Sequence, residues 1–310
     1  MRKPAYQQAR FDATGEVNLE NPVAVEMAII SILDRLYGDD YDPALLRQGI
    51  DVLVRSFQGR NPGILRCDTL YHDLRHALET GLTMARLLDA HAGSLPAGSA
   101  DGIDARHALL GVLLALFHDF GLLRRESEAQ TLGAAFTPVH EERGVEFMRR
   151  HLAGTSLGSL AGRAELIMPT KLNFKIPESW SAPDRRLANM VASADLISQL
   201  SDCCYLEKCW SFLFVEFSAF GVAGTPDSIY PDRETLMIKT YEFYSSLVVP
   251  RLEQELCGVH HLLDAYYSDN DPYQKSIQRN LSYLDAVLTL QDFTRLRRRP
   301  RPYIGDPTAE

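Results

Sequence analysis

Four short runs hold residue types from which a metal site can be built: YHDLRH at 71–76, FHDF at 117–120, HEERG at 140–144 and ASADLIS at 192–198. Imidazole nitrogens and carboxylate oxygens are the donors that zinc, iron, manganese and magnesium accept. His118 and Asp119 are adjacent and follow the apolar run LLGVLLALF. A helix ending there delivers two donors to one point with no loop entropy between them. His72 and His76 stand four apart, and on a helix both rings would share one face, one turn apart. Two histidines so placed can share an ion, or one can bind while the other faces a substrate. A single His-Asp pair is common by chance. Here four of the nine histidines fall in these runs, in the order His, His, His-Asp, His, with Asp195 following in an apolar helical run. The combination, more than any one member, points to a metal site.

The elements that must position these donors read as helices. From about Pro22 onward, VAVEMAIISILDRLYG, ALLRQGIDVLVRSF, HALETGLTMARLLDAH and HALLGVLLALFHDF place apolar residues at i, i+3, i+4 and i+7, and no strand-like alternation is present. Proline and glycine clusters predict loops at 59–63, 92–102, 174–184 and 220–232. Asp184 is placed to cap the helix through RRLANMVASADLISQL, and Pro231 with Asp232 to open the long helix through ETLMIKTYEFYSSLVVPRLEQEL. Because the donors span residues 72–195, they must come from several helices converging in a bundle. The expected organisation is an N-terminal helical extension packed on the core (1–64), one catalytic domain (65–265) and a C-terminal helix with a basic tail (266–310).

Bulk composition narrows the function. The 310 residues suffice to bury a large core. Lys plus Arg number 32 against 41 Asp plus Glu, a net charge of −9, which argues against general nucleic-acid binding because phosphate neutralisation needs a basic face. The one basic run, RLRRRPRP at 295–302, is interrupted by prolines and reads as a solvated tail. Five cysteines without CxxC spacing form no disulfide framework and fit a reducing compartment. The N-terminus lacks an apolar signal core, and no stretch approaches the roughly 20 apolar residues of a membrane span. A cytoplasmic protein with no membrane partner is expected, with a homodimer left open. Neither a GxxxxGK[ST] nor a GxGxxG run is present. The aromatic groups in CWSFLFVEFSAF and YEFYSSL read as core, with a base-stacking clamp as the functional counterpart.

The order of the four runs resembles the HD superfamily of metal-dependent phosphohydrolases, and within it the catalytic domain of cyclic nucleotide phosphodiesterases. In that family a YHNxxH run opens the site, an apolar helix ends in HD, a further segment follows, and an ADLSN run brings the last Asp. The counterparts here are YHDLRH, ALFHDFG, LIMPTKL and ASADLISQ, and EKCWSFLFVEFSAFG (207–221) and YEFYSSLVVPRLEQEL extend the likeness to about residues 65–262. The resemblance implies an all-α, HD/PDEase-like multi-helix bundle with a metal site in its core. It also implies two divalent metal ions (Zn, Mn, Mg or Fe) and a phosphodiesterase acting on a nucleotide or cyclic nucleotide through metal-bound hydroxide.

Carried over residue by residue, His76, His118, Asp119 and Asp195 become ligands of the first ion, Asp119 also bridges to a second, and His72 is the proton donor whose placement Tyr71 supports. The sequence departs from the family's HDxxHPG pattern, since FHDFGLLRR puts Leu122, Arg124 and Arg125 where a histidine and proline would fall. HEERG instead resembles the HxxxG run of bimetallic HD proteins, which makes His140 either a ligand of the second ion or a surface histidine. Lys171 replaces the family's usual acid. Thr240 falls where the purine-reading glutamine is expected and cannot make a bidentate amide contact. Arg124, Arg125 and Lys171 are candidates for binding extra substrate phosphates, or form a solvated basic face. Two other classes share the ligand set: a nucleotide-sensing HD protein without turnover, and an HD-type di-iron oxygenase.

Overall fold

A computed structural model describes residues 9–96 and 99–305. Among them the chain forms α-helices and short 3₁₀ and π turns, with three isolated β-bridges and no strand. The helices are α1 (Pro22–Tyr37), α2 (Pro43–Phe57), α3 (Leu74–Ser94), α4 (Ala105–Phe117), α5 (His140–Ala153), α6 (Ala182–Ser201), α7 (Tyr205–Lys208), α8 (Phe214–Ala219), α9 (Arg233–Phe243), α10 (Leu262–Tyr266) and α11 (Pro272–Leu290).

Their starts follow local chemistry. Asn21, Asp42, Asp73, Asp104, Ser181, Asp232 and Asp271 each accept a backbone N–H from the first turn of the helix that follows. In α1, α2, α6 and α11 a proline lies in that first turn, where its missing N–H costs nothing. Two expectations need correction. Ser181, not Asp184, caps α6; Asp184 instead accepts from Arg163 at 2.7 Å. His72 does not share a helix with His76, because Asp73 is the N-cap and α3 begins at Leu74.

Helices α3, α4 and α6 pack on one another at the centre. In α3 every residue from Leu74 to His91 is buried, and in α4 nearly all are. The apolar stretch Ala105–Leu122 has a mean hydropathy of 1.3 and is 89% buried inside the fold, so its apolar character on all sides is met by neighbouring helices. One apolar cluster runs from Leu19 and Val25 of the N-terminal region through these helices to Leu284, Val287 and Tyr303. The basic run leaves Arg295, Arg297, Arg299 and Arg301 exposed, as a solvated stretch would, but the chain around it is anchored to the core. Tyr303 is buried, its N–H donates to Asp73 Oδ2 (2.8 Å), its carbonyl accepts from Leu74 N (2.9 Å), and the Arg298 guanidinium lies over the Tyr283 ring.

Past α9 the helical path continues through π turns at Tyr244–Val248 and Arg251–Glu255. Pro250 lies between them, and its missing N–H removes an i to i−4 bond there.

Candidate metal centre

Each donor is fixed by the element that carries it. His76 lies in the first turn of α3, held there by Asp73, whose Oδ1 accepts the His76 N–H at 3.1 Å. His118 directly follows α4, and its Nδ1 is 2.8 Å from the Ala115 carbonyl. A carbonyl can only accept, so Nδ1 carries a proton, and Nε2 is the nitrogen that would offer a lone pair to an ion once the ring is neutral. Asp119 sits at φ −92°, ψ 2°, the sparsely populated bridge region, as the chain turns out of α4. His140 opens α5, and its Nδ1 donates to the Thr137 carbonyl at 2.7 Å, which again leaves Nε2 free as a donor atom. Asp195 lies midway along α6.

Two glycines permit this convergence. A Cβ on Gly121 would lie 1.9 Å from the His140 carbonyl oxygen, and one on Gly144 would lie 3.3 Å from that of His118. The turn after α4 and the first turns of α5 therefore approach backbone to backbone, which brings His118–Asp119 against His140.

The resulting cluster is tight. His76 Nε2 is 3.1 Å from Asp195 Oδ1 and 3.6 Å from Asp119 Oδ2, and His118 Nε2 is 3.1 Å from Asp119 Oδ2 and 3.4 Å from Asp195 Oδ1. Two donors each about 2.1 Å from one ion and about 90–109° apart lie about 3.0–3.4 Å from each other, so these separations suit a shared cation. His118 Nε2 and Asp119 Oδ2 are buried and, apart from the ion-pair contacts within the cluster, have no hydrogen-bond partner, an unfavourable state that a cation at this point would relieve. The donor set thus fits a divalent ion by geometry and by its unmet polar atoms. Asp119 turns its other oxygen, Oδ1, toward His140 Nε2 at 3.4 Å, so the carboxylate faces both sides of the cluster.

The charges respond to this crowding. Burial opposes ionisation throughout, but Asp119 and Asp195 outweigh it at His118 and raise its pKa well above the usual value. For Asp119, burial is likewise overcome by His118 and His72, and its pKa falls well below the carboxylate range. The carboxylates are balanced here by imidazole protons, and a bound divalent cation would balance them instead, leaving neutral ligating imidazoles.

Beside the cluster stands a pair that sequence reasoning had not assembled. Glu216 on α8 is buried; its Oε1 accepts from the Tyr71 N–H and its Oε2 lies 2.6 Å from His72 Nδ1. Burial disfavours a charge on His72, yet Glu216 and Asp119 raise its pKa to about 9. The one available signal was a glutamate inside the apolar run FLFVEF, where a carboxylate facing inward needs a partner. Glu141, also unassigned from sequence, is buried next to His140, with Oε2 lacking a hydrogen-bond partner.

These residues line one wall of a cavity of about 550 Å³, within the range of small-molecule sites. Tyr71, His72, His76, Asp119, His140, Lys171, Asp195 and Thr240 all border it. Tyr71 donates its hydroxyl to Gln199 Oε1 at 3.1 Å. Lys171 donates to the Pro138 carbonyl (2.8 Å) and to Glu142 Oε1 (2.7 Å), so its charge is already met. Thr240 commits its hydroxyl proton to the Leu236 carbonyl at 2.8 Å. Arg124 is not brought to the cavity: it pairs with Asp68 at 3.2 Å and donates to the Thr131 carbonyl. His118 lies behind the lining, in contact with both aspartates. Phe217 and Phe243 border the cavity, so part of the aromatic group expected to be core is available to a ligand, and Tyr230, from the loop before α9, joins them.

A family model described as Npun_R2479-like matches residues 61–264. No curated protein matches the chain.

Proposed function

The chain belongs to the Npun_R2479-like family, and from the cluster within its matched segment we infer a divalent-metal-dependent phosphohydrolase, in the form of a phosphodiesterase built on an HD-type helical bundle. The observation that carries this reading is the meeting of His76, His118, Asp119 and Asp195 at one point beside a cavity, with two of their donor atoms buried and outside any hydrogen bond. His76, His118, Asp119 and Asp195 would hold one ion, and Asp119 Oδ1 with His140 Nε2 would contribute to a second. Bound there, the ions supply Lewis-acid activation of water and charge neutralisation of the phosphate.

The remaining chemistry falls to the protein's own groups. Hydrolysis of a phosphodiester forms a bond from a water oxygen to phosphorus and breaks the bond to the leaving oxygen, which must gain a proton. His72 borders the cavity and is oriented by Glu216, whose charge favours its protonated form, so it is suited to give that proton. Loss of the proton leaves a neutral imidazole still hydrogen-bonded to Glu216, ready to be reprotonated from solvent. The second product proton comes from the attacking water.

The test is metal analysis of the purified protein, followed by hydrolysis of bis(p-nitrophenyl) phosphate with and without added manganese. Asp119→Ala is expected to lose both metal and turnover. His72→Ala is expected to keep its metal and lose about 10²- to 10⁴-fold in kcat, the usual contribution of a general acid. Wild-type protein with full metal and no turnover would overturn the hydrolase reading in favour of a nucleotide sensor or a di-iron oxygenase.

A further inference from the structure

Away from the metal-ligating residues, the cavity has a wall of different chemistry. Leu213, Phe217, Tyr230, Leu236, Phe243 and Leu247 supply an apolar surface, with the Phe217 and Tyr230 rings stacked at 5.4 Å. Two of the polar groups bordering the cavity are already engaged within the protein. The Thr240 hydroxyl is bonded to its own helix, and the Gln199 oxygen already accepts from Tyr71. Asn173 is exposed.

Lys239 on α9 is the exception on this wall. It is half-buried and lines the cavity, and among the described residues no carboxylate lies within ion-pair distance of it. Lys171, the other cavity lysine, is by contrast held by Glu142 and the Pro138 carbonyl. A cation bordering an apolar cavity without a protein counter-charge is a ready partner for an anionic ligand group.

We propose that this site takes a phosphate ester whose retained portion is apolar, flat enough to pack on Phe217 and Tyr230, and ends in a second anionic group, a carboxylate or phosphate, that pairs with Lys239. This rests on the phosphohydrolase reading for the phosphate end and adds a specificity-determining residue at the other.

Binding separates the two ideas. Metal-loaded wild-type protein and Lys239→Met, which keeps most of the apolar stem, are titrated calorimetrically with phenylphosphonate and with biphenylphosphonate. Each is compared with its para-carboxylated derivative, and a biphenyl bisphosphonate distinguishes a phosphate from a carboxylate partner. Metal content of both proteins is measured to confirm that the centre is intact. At one spacer length or the other, the doubly anionic ligand is expected to bind wild-type protein about tenfold more tightly than its singly anionic parent. In Lys239→Met that preference should fall below about threefold, while affinity for the parent stays within about twofold. No preference at either length, or one that survives the substitution, would overturn the assignment. Hydrolysis of bis(p-nitrophenyl) phosphate is measured alongside: its absence with the Lys239-dependent preference intact removes the phosphohydrolase reading and leaves the ligand class standing, and the reverse pattern does the opposite.

Discussion

At the scale of single residues, the His72–Glu216 pair is where charge and position can be told apart. Glu216→Gln keeps an oxygen that can accept from Tyr71 N–H or His72 but removes the negative charge that helps hold His72 protonated up to about pH 9. A general acid works only while protonated, so lowering its pKa makes activity fall off at lower pH. The expected outcome is an alkaline limb of the kcat profile moved to lower pH, with metal content unchanged; a profile that keeps its alkaline limb in place would remove Glu216 from this role. The same pair marks the limit of what residue types reveal. His118 with Asp119 stands out because the chain itself puts the two together, whereas Glu216 lies 144 residues from His72 and becomes meaningful only once folding joins them. The bonding partners of Thr240 and Arg124 were out of reach for a related reason. Their capacity to bond is visible in sequence, but the protein acceptors that already occupy them, Leu236 and Asp68 with Thr131, are not.

At the scale of elements, the start of α9 at Asp232 was legible because capping is local, whereas α6 was given Asp184 as its cap in place of Ser181, three residues earlier, since either residue type can cap. The same rule, applied strictly at Asp73, would have placed His72 outside α3, since Asp73 immediately precedes Leu74 and its side chain accepts the His76 N–H. What no local rule reveals is the approach of α5 to the end of α4. The glycines of FHDFG and HEERG carry it, and they are unequal. Gly121→Ala puts a methyl 1.9 Å from the His140 carbonyl, a backbone atom that cannot swing away, so the two segments must separate. Destabilisation of about 1–3 kcal/mol or above is expected, with weaker metal binding because Asp119 and His140 lie at that junction. Gly144→Ala meets the His118 carbonyl at 3.3 Å, which a small adjustment relieves, and it gains about 1 kcal/mol of helix propensity inside α5. It should therefore remain within about 1 kcal/mol of wild type. Denaturant unfolding of the two variants checks the contrast, and equal losses would mean the junction is not set by backbone approach at Gly121.

At the scale of the whole molecule, the candidate centre joins parts of the chain that the apolar core also joins. Periodicity made the all-helical class legible, yet it could not show that the N-terminal helices and the C-terminal tail share one buried cluster with the middle of the chain, since that depends on which faces meet. Tyr303 contacting Asp73 and Leu74 is the clearest case, a residue beyond a basic, proline-broken run that ends up buried at the start of the helix carrying His76. Because His76, His118 and Asp195 come from α3, the end of α4 and α6, unfolding would scatter the donors, and a cation bound by all three favours only the folded chain. Binding at a free concentration one hundred times Kd adds about 2.7 kcal/mol to stability, which for a chain of this size is a rise in Tm of several degrees. Adding manganese to chelator-treated protein should produce that rise in wild type and in His72→Ala, which keeps every donor of the cluster. Asp195→Ala should show little of it. A shift that persists in Asp195→Ala and in Asp119→Ala would locate the stabilising ion elsewhere and break the link drawn here between the central three helices and the chemistry of the cavity.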